Sequence, residues 1–387
     1  MNDHTPVATP RPPLYRHFHR IAWLAVALAF GVIVFGAFVR LSNAGLSCPD
    51  WPTCYGRATW PKAADEVAHH AASAIRTFDD TKAWREQVHR HLAGTLAGIV
   101  ALLALLAVRR RRFGVAQILA AAALIGVGLA LYIRGDHQAA MATAIGGEAL
   151  LLMGALRWSN DDLSRAATFT LMTIVFQALL GMWTVTLLLK PIVVMGHLLG
   201  GMTTFGLLTW MAWRATGRPV QIAGANRMRW WLIGGVTVVG LQIALGGWVS
   251  ANYAALACGN DFPRCVGQWV PPHDFSEGFV LWRGVGVDYE GGVLDGASRI
   301  AIQLAHRMMA MVVLIYLVTL AFKLIRTPGL WFTGVVLLVL ALLQVSLGIG
   351  NVVLGLPLWT AVMHNGGAAL LLFLLVSLLA RLRPPLV

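Results

Sequence analysis

Residues 86–91 read Glu-Gln-Val-His-Arg-His and open an apolar run of 17 residues, Leu92–Val108. Glu86 and His89 are three residues apart, so they share one face of a helix that is apolar enough to lie in a membrane. The pattern recurs at residues 303–307, which read Gln-Leu-Ala-His-Arg, with an amide where the first copy has an acid. Because ionisable side chains are costly inside a bilayer, these two stretches predict functional sites on membrane helices.

The composition is that of a polytopic membrane protein. Of the 387 residues, 58% are hydrophobic and 12% charged, and the mean hydropathy is +0.69. Soluble domains are far more polar. Ten segments are long and apolar enough to cross a bilayer about 30 Å thick, namely 21–41, 87–108, 114–133, 138–157, 167–189, 191–213, 230–250, 299–322, 330–352 and 358–380.

An internal repeat organises these segments. Gln177 precedes His197 by 20 residues, and Gln344 precedes His364 by 20. The distance from the first histidine of each half to its glutamine is 50 residues longer in the first half, about two spans with their turns. We therefore predict an all-α membrane protein of two tandem four-helix bundles in parallel orientation, with an inserted helix pair. Its parts are a cytoplasmic tail at 1–20, an N-terminal bundle at 21–225 with the insertion at about 113–160, and a C-terminal bundle at 226–387.

The distribution of charge predicts the orientation. With the N-terminus inside, 17 of the 30 basic residues and only three acids fall on the inner side. We therefore expect a multi-pass protein of the bacterial inner membrane with both termini in the cytoplasm. The basic excess is a topology signal, so nucleic acid is not expected as a partner. The first apolar run ends at Phe38-Val39-Arg40 without a small-residue cleavage pattern, so the first helix is expected to be kept.

Two outer loops contain all four cysteines. Close pairs on the oxidising face of a membrane predict disulfides between Cys48 and Cys54 and between Cys258 and Cys265. A zinc site built from two cysteines and loop histidines is the less favoured interpretation.

Four histidines are expected about 8 to 10 Å below the outer surface, two in each half. They are His89 and His197 in the first half, and His306 and His364 in the second. Paired imidazoles across a helical bundle are a common way to hold haem iron. Small residues beside them leave room for a macrocycle, namely Gly94, Gly98, Gly200, Gly201, Gly366 and Gly367.

Arg90 and Arg307 each follow a candidate ligand on the outer side. Both are candidates to pair with haem propionates, and the alternative interpretation is that they snorkel to the interface.

The acid in the first half and the amide in the second suggest different tasks. Glu86 can exchange a proton near neutral pH, whereas Gln303 cannot. The first half is therefore the candidate reaction site and the second a permanent cofactor site. Two alternatives remain open, a di-haem membrane cytochrome that exchanges electrons with quinone and a haem transporter or chaperone. Neither alternative requires Glu86.

Together these motifs resemble the haem A synthase family. The resemblance rests on the Glu-x-x-His-Arg motif at 86–90, the cysteine loop at 45–54, the stretch 177–185 before His197, and the repeated His306 and His364. It covers nearly the whole chain except residues about 112–160. The family usually has eight spans, so the extra helix pair is a departure.

The resemblance implies an oxidoreductase that oxidises the C8 methyl of haem O to the formyl group of haem A, through successive hydroxylations and loss of water from a geminal diol. It implies a haem b cofactor on His306 and His364, substrate between His89 and His197, an essential glutamate at Glu86, and a functionally important Cys48–Cys54 pair. The resemblance also implies that terminal cytochrome oxidase receives the product. Haem O synthase and oxidase assembly factors are candidate partners, and the electron partner and oligomeric state stay open.

Overall fold

A computed structural model of the chain describes residues 17–70 and 77–383 and is almost entirely helical. Ten of the helices in this part are long and apolar enough to cross a membrane, as predicted. They are α1 (Phe18–Leu41), α2 (Asp80–Val108), α3 (Gly114–Ile133), α4 (His137–Arg157), α5 (Ser164–Thr186), α6 (Pro191–Thr216), α7 (Ala225–Ala251), α9 (Gly296–Ile325), α10 (Trp331–Val353) and α11 (Leu358–Arg381). Residues 1–16 of the predicted tail lie outside the described part of the chain.

The remaining elements are short. They are a 3₁₀ turn at Ala64–Val67, the one-turn helix α8 at Phe275–Gly278, and the strands β1 (Val220–Gln221) and β2 (Leu382–Arg383). The two strands pair in parallel and join the connection between α6 and α7 to the segment that follows α11.

Helices α2 and α9 begin earlier in the chain than predicted, at Asp80 and Gly296 rather than at residues 87 and 299. Asp79 caps α2 by accepting a hydrogen bond from Lys82 N at 3.2 Å, and Asp295 caps α9 by accepting one from Ser298 N at 2.8 Å. A hydrogen bond from the Thr81 hydroxyl holds the pKa of the Asp79 carboxyl below its usual value. His89 and His306 are consequently nine and ten residues into their helices, whereas the other two histidines are each six residues in.

The long helices pack into two groups of four. Helices α1, α2, α5 and α6 contact one another, and α7, α9, α10 and α11 form the other group. Contacts of α6 and α1 with α11, and of α6 with α7, join the groups. Small residues on α1, such as Ala22 and Ala29, are almost fully buried, which allows the close helix approach that is typical of membrane bundles.

The α3–α4 hairpin lies beside the first group and contacts α2 and α5. Its base is held by Arg111, whose Nη2 atom donates to Asp162 Oδ1 at 2.7 Å and to Ser159 Oγ at 2.8 Å. Burial favours the neutral form of Asp162, but hydrogen bonds from Arg111 and Ser164 outweigh it and hold the pKa of that carboxyl below its usual value. The ion pair between Arg111 and Asp162 lies at the ends of the helices opposite the cysteine loops.

Candidate functional site

In the first group, His89 lies on α2 and His197 lies on α6. A glycine on a neighbouring helix contacts each ring. A Cβ at Gly36 would lie 2.8 Å from His89 Cε1, and one at Gly181 would lie 3.1 Å from His197 Cε1. Each imidazole thus rests directly on a helix backbone, in space that a larger residue would fill.

The second group has the same arrangement. His306 lies on α9 and His364 lies on α11. A Cβ at Gly246 would lie 3.2 Å from His306 Cε1, and one at Gly348 would lie 3.0 Å from His364 Cε1. The structure therefore places two of the four predicted histidines in each group, with a contacting glycine for every ring.

Glutamine side chains hold three of these histidines. Nε2 of Gln177 donates to the His197 carbonyl at 2.5 Å, and Nε2 of Gln344 donates to the His364 carbonyl at 2.9 Å. The amide of Gln242 lies 3.2 Å from both Nδ1 and the carbonyl oxygen of His306. Sequence reasoning used the first two glutamines only as spacing markers and missed Gln242. The signal that finds it is a shared Gln-x-x-x-Gly pattern, at 177–181, 242–246 and 344–348.

Glu86 is buried and joins α2 to the first cysteine loop. Its Oε2 atom accepts hydrogen bonds from Ser47 N at 2.7 Å and Cys48 N at 2.9 Å. Its Oε1 atom forms an ion pair with Arg90 Nη2 at 2.6 Å. Three hydrogen-bond donors therefore surround the buried acid and offset part of the cost of its desolvation.

Gln303 occupies the matching position on α9 and is equally buried, with 5% exposure for both side chains. Its amide oxygen has no hydrogen-bond partner within residues 17–70 and 77–383. The predicted difference between acid and amide is thus also a difference in contacts, because among the described residues Glu86 accepts hydrogen bonds from its cysteine loop and Gln303 does not.

Arg90 and Arg307 contact the loops at equivalent points. Arg90 Nη1 donates to the carbonyls of Asp50 at 2.7 Å and Thr53 at 2.6 Å. Arg307 Nη1 donates to the Arg264 carbonyl at 2.9 Å, and its Nη2 donates to the Asp261 carbonyl at 3.1 Å. Both guanidinium groups thus hold a cysteine loop over the helices, a role that neither the propionate nor the snorkelling interpretation anticipated.

Both predicted disulfides are formed. The S–S distance is 2.04 Å for Cys48–Cys54 and 2.05 Å for Cys258–Cys265. In each loop the second cysteine forms an isolated antiparallel bridge with a residue three positions later, Arg57 in the first loop and Gln268 in the second.

The six glycines expected to leave room for a macrocycle fall into three sets, and an added Cβ at Gly201 or Gly366 would make only an ordinary contact at 3.5 Å. Gly94 and Gly98 face open space, with no atom within 4 Å of an added Cβ. At Gly200 and Gly367, a Cβ would collide with the amide oxygens of Gln177 and Gln344. For this second pair the expectation was wrong, because those glycines make room for the glutamines that hold the histidines.

Two cavities lie near these groups. A polar cavity of about 230 Å³ is lined by Asn43, Ser47, Asp79, Lys82 and other loop residues, so it approaches Glu86 through the Ser47 backbone. An apolar cavity of about 730 Å³ lies between α4, α5, α6, α7 and α11, and its lining includes none of the predicted site residues.

The donor set of each group fits a haem. Paired imidazoles are suitable axial ligands for iron. The Nδ1 atom of His89 is buried without a hydrogen-bond partner in the described part of the chain, and the open faces of Gly94 and Gly98 leave space on the same helix. The imidazoles of each group therefore suit iron ligation, and in the first group open space lies on the helix that carries His89.

Comparison with known proteins agrees with this chemistry. A family model described as "Cytochrome oxidase assembly protein" matches residues 19–132 and 138–376. A heme A synthase of Shewanella oneidensis is 36% identical over 367 residues, which cover 93% of this chain and 96% of that protein. A heme A synthase of Caulobacter sp. (strain K31) is 26% identical over 385 residues, covering 94% and 96%. The gap at 133–137 falls at the turn between α3 and α4.

Proposed function

The chain belongs to the haem A synthase family and is an oxidoreductase that acts on haem O; on that premise we propose that it oxidises the C8 methyl of haem O to a formyl group by successive hydroxylation. The observation that carries this proposal is the contrast between Glu86 and Gln303 beside two otherwise matching histidine pairs. The comparisons do not support the alternative of a di-haem cytochrome for quinone-linked electron transfer.

The two histidine pairs are proposed to hold different haems. His306 and His364 would bind haem b as a resident cofactor, which supplies one-electron redox chemistry when bound. His89 and His197 would bind haem O as substrate. Among the described residues, an acidic side chain lies beside the substrate pair but not beside the cofactor pair, since Glu86 is one helical turn from His89 on the same face of α2 and the matching residue on α9 is Gln303. The bundles at 21–225 and 226–387 would thus be the reaction domain and the cofactor domain.

Glu86 is proposed to move protons during oxidation of the methyl carbon. Each hydroxylation moves electrons between the methyl carbon and a redox partner, and protons move with them, so a positioned carboxylate can take or give a proton at the reacting centre. The ion pair with Arg90 and the hydrogen bonds from Ser47 and Cys48 fix the carboxylate. The polar cavity beside Ser47 would give these protons a route to solvent.

We place the protein in the bacterial inner membrane with its cysteine loops on the periplasmic side and both termini in the cytoplasm. The excess of basic residues on the opposite side supports this orientation. Haem O synthase and cytochrome oxidase assembly factors are the partners that we propose for delivery of substrate and removal of product.

The test is pigment extraction from a host that makes haem O, with and without this chain. Mass spectrometry is expected to detect haem A only when the chain is present. A host in which haem O stays unmodified, although the protein is made and inserted, would overturn the proposed function. A chain with both His89 and His197 replaced by Ala is the matched control, and it should yield no haem A.

A further inference from the structure

Three of the four ring-contacting glycines follow a glutamine by four residues. Residues four apart lie on the same face of a helix, so the glutamine and the glycine of each pair face the same histidine. These pairs are Gln177 with Gly181 on α5, Gln242 with Gly246 on α7, and Gln344 with Gly348 on α10. Each pair supplies space for an imidazole and an amide that hydrogen-bonds the same histidine.

Helix α1 is the exception. Gly36 contacts the ring of His89, but the residue four positions earlier is Val32, which can neither donate nor accept a hydrogen bond. The Nδ1 atom of His89 is buried and finds no hydrogen-bond partner in residues 17–70 and 77–383. His306, its counterpart on α9, has the amide nitrogen of Gln242 at 3.2 Å from Nδ1 and 3.3 Å from Nε2.

A partner at Nδ1 matters because a histidine that binds iron through Nε2 carries its hydrogen on Nδ1. A hydrogen bond from that position orients the ring and strengthens it as a ligand, and its loss typically lowers metal affinity by about 10- to 100-fold. The amide oxygen of Gln242 is buried and unpartnered within the described residues. Rotation of the amide would therefore place an acceptor beside the Nδ1 hydrogen of an iron-bound His306.

We propose that the residue at this position, Val32 in the first half and Gln242 in the second, determines how tightly each histidine pair retains its haem. The inference rests on the proposed function, in which one haem must leave after every reaction and the other must stay. His89 without a partner at Nδ1 is the weaker ligand and allows substrate and product to exchange. His306, held by Gln242, keeps the cofactor.

The test compares glutamine with methionine, which has a similar length but no amide, at both positions. The variants are Val32→Gln, Val32→Met and Gln242→Met. Purified protein is loaded with haemin, and the transfer of haem to excess apomyoglobin is followed by absorbance. The unchanged protein is expected to release haem in two phases, a fast one from the first pair and a slow one from the second.

Val32→Gln is expected to slow the fast phase by about 10- to 100-fold, whereas Val32→Met should not slow it. Gln242→Met is expected to accelerate the slow phase by a similar factor. An unaltered slow phase in Val32→Gln shows that the variant is folded. Equal effects of glutamine and methionine at position 32, or an unchanged slow phase in Gln242→Met, would overturn the inference.

This outcome is separable from that of the proposed function. If the unchanged chain makes no haem A in a host that supplies haem O, the proposed reaction fails. The two release phases and their response to Val32→Gln and Gln242→Met would still show whether these positions set haem retention.

Discussion

The first and second helix groups contain the same pair of imidazoles on the same glycine contacts, and they differ in the groups around those rings. In the first, the Glu86 carboxylate binds the backbone of the cysteine loop and pairs with Arg90, while His89 has no partner at Nδ1 in the described residues. In the second, Gln303 leaves its amide oxygen unpartnered there, and Gln242 holds His306. The first group thus combines an acid, Glu86, with a histidine whose Nδ1 atom has no partner among the described residues. The second combines an amide, Gln303, with a histidine that contacts Gln242.

This contrast shows how a duplicated scaffold can separate two tasks. The imidazoles alone specify only that each group can bind a haem. In the proposed division, the Glu86 carboxylate adds proton transfer to one copy, and Gln242 adds haem retention to the other. Substitutions in the two groups test whether these tasks are divided between the two copies.

The largest effect is expected from the ligands of the second group. His306→Ala or His364→Ala should abolish the haem b spectrum of the purified protein and, with it, haem A production, because a bis-imidazole site loses an axial ligand. His89→Ala and His197→Ala are the matched variants, and they should leave that spectrum in place. An unchanged spectrum in the first two variants would reverse the assignment of the groups.

Glu86→Gln should lower the rate of haem A formation by about 10²- to 10⁴-fold, since the amide cannot transfer protons. Haem O or a hydroxylated intermediate should accumulate, and mass spectrometry of extracted pigments would detect it. Gln303→Glu is the control, and the added acid should not create a second reaction site. Normal haem A yield from Glu86→Gln would remove the catalytic role of this residue.

Gly36→Ala should disturb the first group more than Gly246→Ala disturbs the second. The added Cβ would lie 2.8 Å from the His89 ring but 3.2 Å from the His306 ring. Overpacking of this kind typically costs about 1–3 kcal/mol, so we expect a several-fold loss of haem A yield from Gly36→Ala. Gly31→Ala on the same helix is the control, because a Cβ at Gly31 would have no atom within 4 Å. Its haem A yield should equal that of the unsubstituted protein.

The smallest effect is expected at the hairpin of the first half. Asp162→Asn removes the charge that pairs with Arg111 and should lower the free energy of unfolding by less than about 1 kcal/mol, because the pair is partly solvated. The pKa of Asp162 is lower in the folded protein than its ordinary 3.8, so the carboxylate stabilises the protein above that pH. The stabilisation should disappear as the pH falls through the lowered value, and thermal unfolding from pH 7 downward measures it. A difference between the two proteins that stays constant over this range would contradict the account.

The sequence was sufficient to predict the spans and to assign two membrane histidines to each half, because hydropathy and residue spacing can be read from it directly. It placed the starts of α2 and α9 too late, since hydropathy marks where a membrane begins, whereas Asp79 and Asp295 cap helices that extend beyond it. Arg90 was expected at the interface or on a propionate, and its contacts with loop carbonyls depend on a loop conformation that no local pattern encodes.

The glycines and glutamines show a second limit. A glycine in a helix records only that space is needed, and the neighbour that fills the space is decided by tertiary packing. The sequence therefore predicts space for a macrocycle at Gly200, whereas the side chain of Gln177 occupies that space. Gln242 was overlooked because a single amide in an apolar helix has no evident partner until His306 of a different helix is placed beside it.

The most direct test of the division of tasks is the chemical identity of the haem that each pair retains. Two double variants, His89→Ala with His197→Ala and His306→Ala with His364→Ala, would be purified from a host that makes both haem b and haem O. Their pigments would be extracted and identified by mass spectrometry. The account predicts haem b alone in the first variant and haem O without haem b in the second. Haem b bound by the second variant, or haem O retained by the first, would contradict it.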